Sequence, residues 1–392
     1  MQSLLSQRIQ KTPPSFIRSI LKTTLDSKTI SFAGGLPNPI SFPKEELLDS
    51  MQKIVHNYGD KVFQYSITAG IIELREFIAH SFNQKHGLNL THENVLITTG
   101  SQQALDLIGK VFINEGDHII IEKPSYLGAI QAFYQYQPTF CPVELTPNGL
   151  EPEDLKEALK TPTKLIYSIP NFQNPTGLTY SAQNRKEICE ILCAQKLVLV
   201  EDDPYGALRF EGESLPYIGI DKHPFSLVLG TFSKTCSPAM RLGFIISKNT
   251  EILKQLSVAK EASDLHSNTF AQYLIWDYLK HNDYEKHIAK IRALYQAQAH
   301  AMLEAMEQYF PKNVCWTKPE GGMFLWVTLP KNISAMQLFP KALEQKVVFV
   351  PGDCFYINSK DINTMRLNYT NASCEMIYEG IKRLGNVLGE VC

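Results

Sequence analysis

The sequence predicts an α/β protein built on a mostly parallel sheet, and three observations carry that prediction. Short apolar runs alternate with amphipathic stretches from Asn94 onward. The runs are continuous in Val, Ile and Leu, as strands buried on both faces require. Alternation of such strands with helices is the sequence form of right-handed crossovers in a parallel sheet.

The elements follow in order. A helix from about Phe16, capped by Ser15, leads into "ISFAGGLPNPISFP", whose glycines and prolines make it a loop. Helices are predicted at about Lys44–Asn57 and Ile71–His86. Then come "NVLITTG" with the helix "SQQALDLIGKVFI", and "HIIIEK" with a helix from Tyr126. "KLIYSIP" follows with a helix near Ser181–Gln195, and after it "LVLVED", "SLVLGTFS" and "GFIIS". Long helices at roughly Asn249–Glu261, Ser267–Lys280 and Asp283–Tyr309 close this part. From about Val314 strands ("GGMFLWVTL", "VVFV", "MRLNYT") mix with helices. The expected organisation is a large α/β domain over 45–310 and a small α+β domain over 311–392. The segment 1–44 joins the small domain and the pocket. A site then belongs at the carboxyl ends of the large-domain strands, between the domains.

Composition narrows the function classes. The chain has 392 residues, 44% apolar and 20% charged, with a net charge of −2. No basic field invites nucleic acid, no apolar run approaches the roughly 18 residues of a membrane span, and no secretory signal is visible. The eight cysteines are scattered without a C-x-x-C pair, so free thiols in a reducing cytoplasm are expected rather than disulfides or a metal site.

Unusual residues gather at the strand ends. Gly100-Ser101-Gln102 opens a helix, where a hydroxyl and free N–H groups can cradle a phosphate as well as cap the helix. Tyr126 stands at another helix start. "NFQNPTG" is a tight turn that aims Asn174 at the same place. Glu201, Asp202 and Asp203 end an apolar strand, which is costly unless they are solvated or one faces a cation; Tyr205, three on from Asp202, shares its site. Lys234 follows a buried strand among Thr231, Ser233 and Arg241, cations and hydroxyls that suit an anion. Singly each residue has an ordinary structural explanation. Together they suit one ligand: a phosphate, a protonated ring nitrogen (Asp202), a ring oxygen (Asn174, Tyr205), a ring face (Tyr126) and an aldehyde for an amine (Lys234). That ligand is pyridoxal 5′-phosphate.

The motifs "GSQQALDL", "EKPSY", "PNFQNPTG", "EDDPYG", "TFSKTCSPAMRLG", "PEGGMFLW" and "MRLNY" occur in one order along nearly the whole chain. In this the sequence resembles the pyridoxal-phosphate-dependent aminotransferases of fold type I, class I/II. "SFIRSILK…ISFAGGLPNPISFP" is similar to the branch of 2-aminoadipate, kynurenine and aromatic aminotransferases, which also supplies the C-terminal domain of MocR-type regulators. The resemblance implies a large domain with a mostly parallel seven-stranded sheet between helices, and transamination between an L-amino acid and a 2-oxo acid. Glutamate and 2-oxoglutarate are the implied exchange pair. It also implies a homodimer with shared sites.

By the same likeness Lys234 matches the lysine that binds the cofactor aldehyde and moves protons, and Asp202 the partner of the ring nitrogen. Asn174 and Tyr205 match the ligands of the ring oxygen, and Tyr126 the stacking aromatic. Gly100, Ser101, Gln102, Thr231, Ser233 and Arg241 match the phosphate site. Arg366 matches the arginine that grips the α-carboxylate, Gly35 a backbone position lining the substrate pocket, and Tyr65 a tyrosine reaching the partner subunit's phosphate. Arg18 matches an arginine that meets a distal substrate carboxylate. Two other readings keep the cofactor: a carbon–sulfur β-lyase, which the same ligands would serve, and a regulator's sensor domain. Against the latter, fewer than about 45 residues precede the large domain, with no recognition helix among them.

Overall fold

The computed structural model describes residues 4–11, 28–360 and 362–391. Its main sheet runs in the order Val95–Thr98, Gly243–Ile246, Ser226–Thr231, Val198–Asp202, Thr163–Ser168, His118–Lys123, Thr139–Thr146, Gly149–Leu150. Pairing is parallel from Ser226–Thr231 across to Thr139–Thr146. Gly243–Ile246 is antiparallel to both of its neighbours. Seven strands therefore form the expected sheet, and the eighth is a two-residue antiparallel edge at Gly149–Leu150.

Side chains alternate between two cores, as a period of two demands. Ile119, Ile121, Leu165, Tyr167, Val198 and Val200 enter one cluster with the helices Ser101–Phe112 and Tyr284–Tyr309. Ile120, Ile166 and Leu199 enter another with the helix Ala182–Cys193. Both faces are covered, which explains the unbroken aliphatic runs. Thr139–Thr146 escaped the sequence reading because it lies near the sheet edge, half exposed, with Pro142 inside it.

A second, antiparallel sheet orders Cys315–Trp316, Phe324–Thr328, Thr364–Asn368 and Val350–Pro351. The strand Ile30–Ser31 pairs in parallel with Val347–Val348, which ties the N-terminal segment to this part of the molecule. The predicted helix at Phe16 lies outside the described residues. Among the described residues no helix is long and apolar enough to cross a membrane.

The start of the helix Ser101–Phe112 is seated on the sheet by glycine. A Cβ on Gly243 would stand 2.9 Å from Gly100 C, Gly230 O and Ser101 N, all backbone atoms that cannot swing aside. Gly243→Ala is therefore expected to cost about 1–3 kcal/mol in denaturant unfolding, the usual cost of overpacking. A stability equal to the parent's would show that this contact is slack.

Candidate active site

The three acids after "LVLV" separate by face. Glu201 is buried and accepts Ile218 N–H at 2.6 Å and Gly219 N–H at 2.8 Å. Asp203 accepts from Asn171 Nδ2 at 3.0 Å, Gly206 N–H at 2.8 Å and the Tyr217 hydroxyl at 2.9 Å. Asp202, on the face of Tyr167, takes that hydroxyl on Oδ2 at 2.9 Å, while its buried Oδ1 has no partner. Burial pushes the Asp202 carboxyl up to about 7, with Asp203 and Glu122 adding to the effect and the Tyr167 hydrogen bond opposing it. Of the three, Asp202 is the one left with an unanswered oxygen.

Lys234 donates from Nζ to the Gly35 carbonyl at 2.9 Å. Its amine is pulled down to about 8, first by burial and then by the Arg366 and Arg241 guanidiniums. Arg366 comes from the second sheet, and its guanidinium is buried. It lies over the Phe324 ring at 4.2 Å and the Phe355 ring at 5.1 Å. It donates to Asn174 Oδ1 at 2.8 Å and Ala33 O at 2.7 Å, leaving Nε without a partner. Asn174 Nδ2 in turn meets the Tyr205 hydroxyl at 3.4 Å. Two carbonyls of the N-terminal loop, Ala33 and Gly35, thus receive the two cations.

The anion cradle forms where Gly100 (φ +75°) turns into the helix Ser101–Phe112. Arg241, itself left-handed at φ +51°, lays its guanidinium against Gly100, where a Cβ would stand 2.8 Å from Nη2. Ser101 Oγ is buried without a partner. The Thr231 hydroxyl is engaged with Leu242 O and Ser233 Oγ, both at 3.0 Å, and shapes the turn before Lys234. The Gln102 side chain leaves the cradle for Gly128 O at 2.9 Å, so that position can serve an anion only through its backbone. Tyr126 lies among the charges: Asp202 raises its phenol, beyond the larger effect of burial, and Arg366 and Arg241 lower it.

Two expected residues are not part of this cluster. Tyr65 is 78% exposed, with its ring edge-on to His266 at 5.7 Å. Arg18 lies outside the described residues. A separate cavity of about 350 Å³, lined in part by Phe77, Phe82, Asp203 and Tyr217, takes in only Thr231 of the expected site residues.

Sequence reasoning missed the frame behind Asn174. Buried Glu122 accepts Ile169 N–H at 2.8 Å, Gln173 Nε2 at 2.8 Å and the Tyr180 hydroxyl at 2.6 Å. Gln173 Oε1 then accepts Thr176 N–H at 2.9 Å and the Thr176 hydroxyl at 2.7 Å. The available signal was an acid and a tyrosine inside aliphatic strands, each of which must find a partner when buried.

The residues present fit pyridoxal phosphate. Asp202 Oδ1 and Ser101 Oγ are buried without partners, as ligands of a ring nitrogen and a phosphate would be, and the Lys234 amine is depressed by burial and by two guanidiniums. Comparison with known proteins agrees. Residues 34–384 match the family model described as aminotransferase class I and II. The chain is 40% identical to aromatic-amino-acid aminotransferase 1 of Thermococcus litoralis over 96% of its length and 92% of the relative's. It is 42% identical to the 2-aminoadipate transaminase of Thermus thermophilus, over 95% and 94%. Its structure superposes on a Pyrococcus horikoshii kynurenine aminotransferase solved in complex with PMP, with TM-score 0.94, 40% identity and coverage of 99% and 98%.

Removing the carboxyl that holds the Asn174 loop should be costly. Glu122→Ala strands three buried donors and is expected to lose about 3–5 kcal/mol in denaturant unfolding. A loss below about 1 kcal/mol would mean that water or a neighbour replaces the carboxylate.

Proposed function

Because the chain belongs to the aminotransferase class I and II family, we propose that it exchanges the amino group of 2-aminoadipate or an aromatic amino acid, with glutamate and 2-oxoglutarate as the other pair. The chain is a pyridoxal-phosphate-dependent transaminase. The observation that carries the reading of its site is the Lys234 amine, which donates to Gly35 O at 2.9 Å and is lowered to about 8 by burial first and then by the Arg366 and Arg241 guanidiniums. Names and extent of likeness of the relatives support the substrate classes.

When bound, the cofactor supplies an aldehyde that condenses with amines and a ring that accepts the electron pair left when Cα–H breaks. The chain's residues do the rest. Arg366 binds the substrate α-carboxylate through its fork, which fixes the Cα–H direction. Lys234, its amine lowered to about 8 and so neutral far more often than an ordinary lysine's, takes the α-proton and delivers it across the site. Asp202 Oδ1 would accept from the protonated ring nitrogen. Asn174 and Tyr205 would bind the ring oxygen, and Tyr126 would pack on the ring. Ser101, Ser233, Thr231 and Arg241 would hold the phosphate, together with the N–H groups at Gly100–Gln102. Gly35 lines the substrate side.

The proposed assembly is a homodimer in which Tyr65 reaches the partner subunit's phosphate. Ile40, Phe63, Tyr65 and Ile67 are 82%, 68%, 78% and 51% exposed, large apolar side chains whose exposure supports burial against a second copy. The proposed cofactor-binding unit is 45–310, with 311–392 and the segment 1–44 forming the second unit; pairing of Ile30–Ser31 with Val347–Val348 supports that division. A reducing cytoplasm suits a chain in which every described cysteine is a free thiol.

Three outcomes are expected. Covalent uptake of pyridoxal phosphate by the cofactor-free protein, followed by absorbance, should rise with pH and level off above about 8, because only the neutral amine attacks and its value is lowered from 10.5 to about 8. A rise continuing to the ordinary lysine range would refute the depressed amine. In assays of an amino-donor panel with 2-oxoglutarate, 2-aminoadipate and aromatic amino acids should be turned over. Arg18→Ala should lower kcat/KM about tenfold or more for 2-aminoadipate and glutamate alone, as loss of a desolvated charge contact of about 2–5 kcal/mol implies. Equal loss for all donors, or none, would remove Arg18 from the substrate site.

A further inference from the structure

We propose that Tyr167 is a positioning residue for Asp202: its hydroxyl holds Oδ2 and so leaves Oδ1 as the oxygen presented to the ring nitrogen of the cofactor. The inference rests on the reading of Asp202 given above and adds a residue that no motif pointed to.

The geometry follows from the sheet. Thr163–Ser168 and Val198–Asp202 are parallel neighbours with Tyr167 opposite Val200, so Tyr167 and Asp202 project from the same face two residues apart. The hydroxyl donates to Oδ2 at 2.9 Å, with Tyr167 fully buried and Asp202 1% exposed. The Tyr167 ring is itself held, edge-on against Phe133 at 5.9 Å.

The pattern of satisfaction separates this carboxyl from its neighbours. Glu201 has two backbone donors, Glu122 has three donors and Asp203 has three. Asp202 has one, on one oxygen. A phenol suits that task. It offers a single proton, and its own ionisation lies well above the usual range, so it stays a donor throughout the range in which the carboxyl titrates. The hydrogen bond also offsets part of the burial that disfavours the ionised form, against the pull of the nearby acids Asp203 and Glu122. The phenols of Tyr126 and Tyr205 face the same region and are held neutral by burial.

Tyr167→Phe removes the hydroxyl and keeps the ring. The sign of the pH effect is set by the bond that is lost. Without Tyr167 the ionised Asp202 is less favoured, so its protonation, and with it the loss of rate as pH falls, moves to higher pH. The expected result is about tenfold weaker retention of pyridoxal phosphate in equilibrium binding to the cofactor-free protein, the scale of one hydrogen bond to a charged group. kcat should fall by about the same factor at little change in KM, with the acid limb of kcat shifted upward. In the cofactor-free protein, the infrared carboxyl band lost on Asp202→Asn should titrate at higher pH in Tyr167→Phe. The proposal is overturned if Tyr167→Phe matches the parent in cofactor affinity, acid limb and carboxyl titration while Asp202→Asn is impaired. If Asp202→Asn is itself as active as the parent, the reading of Asp202 fails, and the role of Tyr167 fails with it.

Discussion

Charge taken out of water at the ends of buried parallel strands is the constraint on which the rest of this molecule depends. A carboxylate or ammonium in such a place must be answered by partners or it shifts toward its neutral form. The structure does both. Burial draws all of these groups toward neutrality, Glu122 and Glu201 as well as Asp202, Lys234 and Arg366. Hydrogen bonding separates them: Glu122 and Glu201 are met by backbone and side-chain donors and serve to anchor loops, whereas Asp202 Oδ1 and Arg366 Nε are left without partners. The first pair builds the frame, while the second set keeps polar capacity in reserve for a ligand, in a dry setting where each contact counts for more than in water.

The reserve is assembled from distant parts of the chain. Arg366 arrives on an antiparallel strand, Asn174 on the loop after Thr163–Ser168, and Lys234 on the turn after Ser226–Thr231. The N-terminal loop is bound to the cluster by the cations themselves, through Ala33 O and Gly35 O. An anion that drew Arg366 toward itself would therefore pull on Asn174 and on this loop together.

Much of this was legible in the sequence, for identifiable reasons. The central strands announced themselves because both faces are covered, and Asp202 was separable from Asp203 by its spacing to Tyr205. The glycine turn into the helix Ser101–Phe112 was readable from Gly100 and Ser101. Roles that depend on pairing across strands were not. Tyr167 and Glu122 look like members of aliphatic runs until the register sets them beside Asp202 and the Asn174 loop. Gln102 shows the opposite failure: its place at the helix start is right, but its side chain turns to Gly128 O. Tyr65 stands apart from the cluster, exposed, with its ring edge-on to His266.

The central claim is that one particular amine, Lys234, carries the cofactor. The direct measurement is to load the protein with pyridoxal phosphate, reduce it with borohydride, digest it and locate the added mass by peptide sequencing in the mass spectrometer. The account predicts a single modified lysine in "TFSKTCSPAMR", at Lys234. Stoichiometric label on another lysine, such as the buried Lys260 with its three hydrogen-bond partners, or no stable label at all, would contradict it.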